Sequence, residues 1–192
     1  MTMGKLEKRF VNDVGHSRGV ARHAARMLRQ TTVQPEQMYL DVGCGNGVAP
    51  IYVAKTFGLH VTGVDVDPQQ IALAKTAAQS VPNIRFLCID GRNLPFADGE
   101  FDVVFSNKVT HHIPNWRDAL AEMVRVLKPG GYLLYADLRL PAALARLGKA
   151  VAGNRYGFPN LPAIDHFVMS NGLTAVYQSI GPLQFAGVFR KE

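Results

Sequence analysis

Short runs of apolar residues alternate along the chain with stretches whose apolar positions recur every three or four residues. The runs predict strands and the recurring positions predict helices. Because the two alternate from residue 38 to residue 138, the pattern indicates βαβ units and a parallel sheet. The predicted strands are Met38–Val42, His60–Val64, Ile84–Cys88, Phe101–Ser106 and Tyr132–Leu138, and the predicted helices are Val48–Phe57, Pro68–Ser80 and Trp116–Leu127.

Polar residues, prolines and glycines mark where these helices begin and end. Asp67 supplies an N-cap acceptor directly before Pro68, a residue favoured at the first helical position. Asn115 is the expected cap of the third helix. The sequence Lys-Pro-Gly-Gly at 128–131 predicts a turn between that helix and the next strand.

After residue 140 the pattern is interrupted by glycines and prolines. We expect a helix near 141–150, an irregular aromatic segment and a helix at 161–171 that ends at Gly172. Two strands then follow, at 174–179 and 183–189. The short Ile-Gly-Pro connection between them predicts an antiparallel hairpin.

The composition fits one globular domain. The chain has 192 residues, 47% of them hydrophobic and 19% charged, which excludes a largely disordered protein. Two cysteines are too few for a disulfide framework or a cysteine-based zinc site, so we expect a reduced, cytoplasmic setting and no metal. We also expect no signal peptide, and no membrane span, because no apolar stretch approaches the ~18 residues that one needs.

The basic excess is concentrated at the N-terminus. Of the formal net charge of +6, +5 lies within residues 1–30. Residues 17–30 predict an amphipathic helix on which four arginines share one face. That face is either solvated or contacts an anionic acceptor, an anionic membrane surface or RNA phosphates. The four arginines are Arg18, Arg22, Arg26 and Arg29.

One glycine-rich segment is a candidate ligand-binding loop. Residues 40–47, Leu-Asp-Val-Gly-Cys-Gly-Asn-Gly, connect the first predicted strand to a helix. Glycines let the backbone pass close to a ligand, and the helix N-terminus offers unpaired N–H groups. By itself such a segment binds a dinucleotide or forms a tight turn.

Acidic residues at two further strand ends narrow the choice of ligand. The glycine spacing is G-x-G-x-G, because residue 48 is Val48. Asp65 ends the second strand, where a carboxylate can accept both hydroxyls of a ribose. Asp90 follows the third strand, where a carboxylate can accept from the amino group of adenine. Both acids lie at the carboxyl edge of the predicted sheet, where open α/β sheets bind ligands.

Five segments give the chain its resemblance to a known family. They are LDVGCGNG at 40–47, GVDVDP at 63–68, IDGRNLPFADGEFDVVFSN at 89–107, HHIPNW at 111–116 and RVLKPGG at 125–131. In this order and spacing the chain resembles the class I S-adenosylmethionine-dependent methyltransferases, and most of all the small-molecule enzymes of the ubiquinone/menaquinone-methyltransferase type. The resemblance therefore implies methyl transfer to a small-molecule acceptor. The resemblance implies a three-layer Rossmann-like α/β fold, with a seven-stranded, mostly parallel sheet and an antiparallel last strand.

The resemblance also assigns nine positions to S-adenosylmethionine. They are Gly43, Gly45 and Gly47 beside the methionine, Asp41 beneath that loop, Asp65 at the ribose, Val66 on the adenine face, Asp90 and Gly91 at the adenine edge, and Asn107 near the methionine amine. The product would be S-adenosylhomocysteine.

Histidines beside the fourth strand are candidate bases. Methyl transfer from a sulfonium is an in-line displacement in which alignment of the acceptor dominates, and a base is needed only if the acceptor loses a proton. His111 and His112 follow the fourth strand, and an imidazole accepts a proton near neutral pH. Alternatively they cap the loop or pack on Trp116. Asp137 is a second candidate, as a hydrogen-bond partner of the acceptor.

The variable segments are expected to close the acceptor site. Within a single domain, 1–192, we distinguish a basic helical segment (1–30), a cofactor-binding core (38–138), an acceptor cap (141–172) and a closing hairpin (174–190). The candidate lining residues are Phe10, Tyr156, Phe158 and Phe167.

Rival functions are separated by motifs. An amino-methylating nucleic-acid enzyme carries Asn/Asp-Pro-Pro-aromatic after the fourth strand, where residues 106–109 here read Ser-Asn-Lys-Val. The chain also lacks a Pro-Cys nucleophile, so no DNA partner is expected, while an RNA ribose or ring-nitrogen methylase stays open. The glycine spacing disfavours an NAD-dependent oxidoreductase. A non-catalytic regulator that binds S-adenosylmethionine would have the same binding residues as an enzyme.

Overall fold

Seven strands form one sheet in the computed structural model of the chain, which describes residues 14–139, 157 and 160–192. A short 3₁₀ turn, Thr110–His112, follows the fourth strand. The helices are α1 (Val14–Leu28), α2 (Val48–Phe57), α3 (Pro68–Ala77), α4 (Trp116–Arg125) and α5 (Leu161–Ser170). The strands are β1 (Met38–Val42), β2 (His60–Asp65), β3 (Ile84–Cys88), β4 (Phe101–Asn107), β5 (Leu127–Leu138), β6 (Leu173–Ile180) and β7 (Gln184–Lys191).

The strand order is β3-β2-β1-β4-β5-β7-β6. Strands β1 to β5 pair in parallel, and β7 runs antiparallel to both β5 and β6. Strand β1 lies between β2 and β4, so the strands that follow β1 are added first on one side of it, as β2 and β3, and then on the other, as β4 and β5. This reversal creates a crevice at the carboxyl ends of β1 and β4, where ligands bind in open α/β sheets. The expected mostly parallel, seven-stranded sheet with an antiparallel last strand is confirmed.

Apolar side chains cover both faces of the sheet, which gives the three layers. Val103 and Phe105 of β4 belong to the core on one face with α1 and α2, whereas Val104 belongs to the core on the other face with α4 and α5. Strands buried on both faces need apolar residues at consecutive positions. The uninterrupted apolar runs of the sequence follow from this arrangement.

Two of the three expected helix caps make a cap hydrogen bond. The Asp67 side chain accepts a hydrogen bond from the Gln69 N–H at 2.9 Å, and Pro68 begins α3. Gly172 follows α5 with a φ of 65°, and its N–H donates to the Met169 carbonyl at 3.3 Å. Asn115 occupies the N-cap position of α4 as expected, but its side chain makes no cap hydrogen bond.

The Lys-Pro-Gly-Gly sequence lies inside β5 and not in a turn between two elements. Helix α4 ends at Arg125, and β5 begins two residues later, at Leu127. Leu127 pairs with Phe101, whereas Tyr132 pairs with Val103. The extra β5 residues are accommodated as an irregularity in the ladder, with Gly130 at a φ of 76°. The prediction of a separate turn was therefore wrong.

Helix α1 has the predicted amphipathic form. Ala24, Met27 and Leu28 are buried against the sheet, whereas Arg18, Arg22 and Arg26 of the helix are exposed, as is Arg29 directly after it. None of the helices in the described ranges is long and apolar enough to cross a membrane.

Several expectations fall on residues that are not described. The start of the basic segment, the helix near 141–150, Phe10, Tyr156 and Phe158 lie outside the described residues. Phe167 is described and is 8% exposed, with its ring 6.3 Å from that of Trp116 in the core. The expectation that Phe167 lines the acceptor site was therefore wrong. The division of residues 1–192 into functional segments stays a prediction.

Candidate active site

The loop between β1 and α2 depends on glycine for its backbone conformation. Gly43, Gly45 and Gly47 have φ values of 81°, 53° and 82°, a left-handed region that other residues rarely adopt. The N–H groups of Gly43 and Cys44 both donate to the Val64 carbonyl, at 2.8 and 3.0 Å. The loop is thereby fixed at the carboxyl ends of β1 and β2, with its last glycine at the N-terminus of α2.

Two of these glycines also allow close packing. A Cβ on Gly43 would lie 2.2 Å from Cγ2 of Val109, in the loop after β4. A Cβ on Gly47 would lie 2.7 Å from the Cβ of Ala74 on α3. The sequence did not identify Val109, because nothing in its local pattern shows that it packs on the glycine loop.

Asp65 ties the loop to the end of β2. The side chain is buried, and its two oxygens accept from the N–H groups of Gly45 and Asp67, each at 2.9 Å. Burial raises the pKa of Asp65, although the backbone donors oppose this. Each carboxylate oxygen can accept more than one hydrogen bond, so both can still take a ribose hydroxyl. Val66, the next residue, is 43% exposed and offers an apolar surface beside it.

Asp41 is buried beneath the loop and is only 2% exposed. Burial, followed by the nearby charge of Asp65, raises the pKa of Asp41 to about 8. Within the described part of the chain its Oδ2 has no hydrogen-bond partner. Buried polar atoms in native proteins nearly always have a partner, so this oxygen can receive a donor from a ligand.

Asp90 follows β3 and is paired with Arg92, which the sequence analysis overlooked. Nη2 of Arg92 lies 2.6 Å from Asp90 Oδ2, and the Arg92 N–H donates to Oδ1 at 3.0 Å. The Arg92 hydrogen bonds lower the pKa of Asp90. A Cβ on Gly91 would lie 2.9 Å from Cγ1 of Val42, so the end of β3 approaches the end of β1 closely.

Strand β4 ends beside β5 at Asn107. Asn107 is in register with Ala136, and the N–H of the next residue, Lys108, donates to the Ala136 carbonyl at 2.8 Å. Asn107, Lys108 and Asp137 line a cavity that opens on the side of α1. The predicted site thus has a glycine loop on one side of the crevice and a cavity on the other.

His111 and Asp137 form a buried pair. Nδ1 of His111 lies 2.5 Å from Oδ1 of Asp137, and the two residues are 9% and 1% exposed. Oδ1 also accepts from the Leu138 N–H at 2.7 Å, and Oδ2 accepts from the His111 N–H at 3.1 Å and from the Thr110 hydroxyl. With four donors bound, Asp137 is suited to orient His111 more than to contact an acceptor.

A buried tyrosine extends this network. The Tyr135 hydroxyl hydrogen-bonds the Thr110 hydroxyl, and burial followed by the Asp137 charge raises the pKa of Tyr135 well above its usual value. Neither Thr110 nor Tyr135 was predicted. Tyr135 stands within the apolar run of β5, where its sequence position signals only a core residue.

His112 and Gly157 contact His111 or the turn that carries it. The His112 ring lies 3.9 Å from the ring of His111, centroid to centroid. Gly157 donates its N–H to the His111 carbonyl at 2.9 Å, and a Cβ there would lie 1.9 Å from the Ile113 carbonyl oxygen. The backbone at Gly157 therefore lies directly against the 3₁₀ turn.

In the described ranges no group of His, Cys, Asp and Glu side chains could hold a metal ion.

Comparison with known proteins matches the chain to one family model, described as a methyltransferase domain, over residues 40–135. A phthiotriol/phenolphthiotriol dimycocerosates methyltransferase of Mycobacterium ulcerans is 41% identical over 60% of this chain and 42% of its own length. A 2-methyl-6-phytyl-1,4-hydroquinone methyltransferase of Synechocystis is 40% identical over 55% of this chain and 33% of its own. The chain thus spans less than half the length of these curated relatives.

Solved structures share the fold at low sequence identity. A putative sarcosine dimethylglycine methyltransferase from Galdieria sulphuraria has a TM-score of 0.78 at 16% identity, covering 91% of this chain and 86% of that one. The [4+2]-cyclase SpnF has a TM-score of 0.77 at 19% identity, with 89% and 80% covered. A geranyl diphosphate methyltransferase in complex with S-adenosylmethionine has a TM-score of 0.75 at 15% identity, with 94% and 91% covered.

Proposed function

Because the chain belongs to the methyltransferase domain family, we propose that it transfers a methyl group from S-adenosylmethionine to a small-molecule acceptor. The observation that carries the proposal is the loop of three left-handed glycines, Gly43, Gly45 and Gly47, held by the Asp65 carboxylate. The relatives support it, since the two curated proteins are methyltransferases of a dimycocerosate lipid and of a hydroquinone.

The residues at the crevice fit this cofactor. Asp65 retains acceptor capacity for ribose hydroxyls, and the unpartnered Oδ2 of Asp41 can receive a donor from the methionine end. Val66 offers a partly exposed apolar surface for the adenine, and Asp90 an exposed acceptor beside it. When bound, S-adenosylmethionine supplies a methyl group that is already activated on a sulfonium.

The remaining task of the chain is to align the acceptor and manage its proton. Alignment supplies roughly 7–11 kcal/mol in well-oriented reactions, more than the ~3–5 kcal/mol of a general base. Asp137 accepts the Nδ1 proton of His111, which leaves the Nε2 lone pair free. His111 Nε2 then takes the proton that an oxygen or nitrogen acceptor loses on methylation, and Asp137 stabilises the imidazolium.

A non-catalytic regulator that binds S-adenosylmethionine is the main alternative. The similarity to a [4+2]-cyclase illustrates that this fold does not determine the reaction. The buried pair of His111 and Asp137 favours an enzyme, because within the described residues Asp137 orients an imidazole whose Nε2 makes no hydrogen bond and is available for proton transfer. For the location we propose the cytoplasm, supported by the free thiols of Cys44 and Cys88.

Calorimetry tests the cofactor assignment. The wild-type chain should bind S-adenosylmethionine and not NAD. Asp65→Ala should weaken that binding at least about tenfold, because hydrogen bonds to a charged group are each worth roughly 1.5–3 kcal/mol. Asp165→Asn, at an exposed acid on α5, is the matched control and should bind normally. Binding of NAD in place of S-adenosylmethionine would refute the proposal.

A further inference from the structure

A cavity of about 370 Å³ lies between α1, the carboxyl ends of β4 and β5, and the hairpin of β6 and β7. His23 and Arg26 line it from α1, and Asn107 and Lys108 from the end of β4. The glycine loop, Asp65 and Asp90 do not line it. In the strand order, β7 and β6 lie on the far side of β5 from β1, so the cavity belongs to the half of the molecule that lies away from the predicted ribose and adenine positions.

Basic side chains outnumber acidic ones among the described residues that line this cavity. Its wall carries the basic side chains of His23, Arg26 and Lys108, none of which makes a hydrogen bond or ion pair within the described ranges. Asp137 is the one acidic residue among the described lining residues, and its oxygens are already occupied by four donors. An anion entering the cavity therefore meets donors and no free carboxylate.

The three basic groups are close enough to influence one another. Burial lowers the pKa of His23, and the charges of Arg26 and Lys108 lower it further. Neutral His23 can still donate one hydrogen bond, while the other two remain cationic. This repulsion is relieved when a negative group is bound between them, which is the arrangement of a charge-assisted anion site.

Lys108 is held in an uncommon backbone conformation at this place. Its φ is 57°, in the left-handed region that non-glycine residues seldom occupy. The hydrogen bond from its N–H to the Ala136 carbonyl fixes it beside the cavity. Backbone strain of this kind clusters at ligand sites.

Part of the remaining wall is apolar, and Ser179 and Gln184 add polar groups to it. Val20 and Met27 of α1 face the cavity on one side, and Tyr177, Ile180 and Phe185 of the hairpin line the other. A ligand that combines an anionic group with an apolar body therefore matches both parts of the wall, the basic side chains on one part and the apolar side chains on the other.

We propose that the cavity binds the anionic part of the methyl acceptor, a carboxylate or phosphate on an apolar body, while the reacting atom extends past Asp137, which lines the cavity, toward His111, which does not. Arg26 and Lys108 pair with the anionic group, and His23 donates a hydrogen bond to it. That the ligand is the methyl acceptor rests on the proposed function, whereas binding of an anionic ligand in this cavity requires no catalysis. A second source of the same chemistry is the carboxylate of S-adenosylmethionine, and the experiment distinguishes the two.

Calorimetry with two probes of equal chain length, octanoate and 1-octanol, tests the site. Octanoate should bind the wild-type protein at least about tenfold more tightly than 1-octanol. Arg26→Gln and Lys108→Gln should each remove most of that preference. Arg22→Gln, at an exposed arginine on the same helix that does not line the cavity, is the matched control and should keep it. Thermal melts of all variants verify that they fold.

Titration of the same variants with S-adenosylmethionine separates the two sources. Unchanged affinity in Arg26→Gln and Lys108→Gln supports an anion on the acceptor, whereas a tenfold loss in both assigns the cations to the cofactor and overturns the proposal. Equal binding of octanoate and 1-octanol, or an equal loss in Arg22→Gln, also overturns it. If the wild-type protein binds octanoate selectively but not S-adenosylmethionine, the anion site stands and the proposed function fails.

Discussion

Nδ1 of His111 and Oδ1 of Asp137 lie 2.5 Å apart, in a site where both residues are almost completely buried. The contact joins the turn after β4 to the end of β5, two strands that pair in parallel. A histidine held in this way has one tautomer and one orientation, with Nε2 available for proton transfer. The catalytic part of the account depends on this relationship.

Replacement of His111 by alanine should slow turnover and leave cofactor binding intact. A general base contributes typically about 10²–10⁴-fold, so kcat should fall within that range. The dissociation constant of S-adenosylmethionine, measured by calorimetry, should change less than twofold. Unchanged kcat with an oxygen or nitrogen acceptor would exclude His111 as the base.

Asp137→Asn should reduce kcat by a factor similar to that of His111→Ala. The amide keeps the volume of the carboxylate, but it removes the charge that stabilises the imidazolium. The double variant should be no slower than His111→Ala alone, because both changes remove one function. Rate losses that multiply in the double variant would show that Asp137 acts separately from His111, and melting temperatures would expose a purely structural effect.

The buried Asp41 should make stability fall as pH rises. Its pKa in the folded protein is about 8, against 3.8 for an unperturbed carboxyl, so the folded state holds the proton more tightly. Between about pH 4 and pH 8 the Asp41 carboxyl is ionised in the unfolded chain and protonated in the folded one. Each pH unit in this range therefore lowers the free energy of unfolding by up to about 1.4 kcal/mol. The Asp41→Asn variant has no carboxyl group to ionise at this position. Its free energy of unfolding, measured by chemical denaturation, should therefore rise with pH relative to that of wild type. A difference that is constant from pH 5 to pH 8 would contradict the assignment.

Gly43→Ala should destabilise the glycine loop through two separable effects. The new methyl group overlaps Val109, and a φ of 81° costs a non-glycine residue about 1–2 kcal/mol. Adding Val109→Ala removes the overlap but not the backbone cost, so the double variant should recover only part of the stability. Full recovery would show that the left-handed conformation is unimportant, and no recovery would show that Val109 is not the obstacle.

Gly157→Ala should disturb the turn that carries His111. A Cβ there would approach the Ile113 carbonyl oxygen to 1.9 Å, which forces the backbone away from the turn. We expect kcat to fall at least about tenfold with little change in S-adenosylmethionine affinity. A variant with normal kcat would show that the contact between Gly157 and the turn does not position His111.

The sequence predicted the elements that depend on local patterns. Alternating apolar runs located the strands of the parallel sheet, and Asp67 and Gly172 marked helix ends by their own backbone chemistry. The Lys-Pro-Gly-Gly segment was misplaced because its inclusion in β5 depends on pairing with Phe101 of another strand. Asn115 marked the start of α4 correctly, but the sequence could not show that its side chain makes no cap hydrogen bond there.

The residues of the candidate site were likewise predicted where they belong to contiguous motifs and missed where only the fold brings them together. Positions in contiguous motifs, such as Gly43 and Asp65, were accessible from sequence, and the structure places them at one edge of the sheet. The pairing of His111 with Asp137 joins residues 26 positions apart and was not predicted. Tyr135 carries no local signal, because its hydroxyl finds Thr110 only when β5 packs beside the turn after β4.

The most direct test of the account is release of S-adenosylhomocysteine by the wild-type protein and by His111→Ala, across a panel of hydroquinones, phenols and amphipathic carboxylates. At least one acceptor should be methylated with one S-adenosylhomocysteine formed per methyl group, and His111→Ala should slow this turnover by about 10²-fold or more while still binding S-adenosylmethionine. Tight binding of S-adenosylmethionine without turnover on any member of the panel would contradict the central claim and indicate a binding protein.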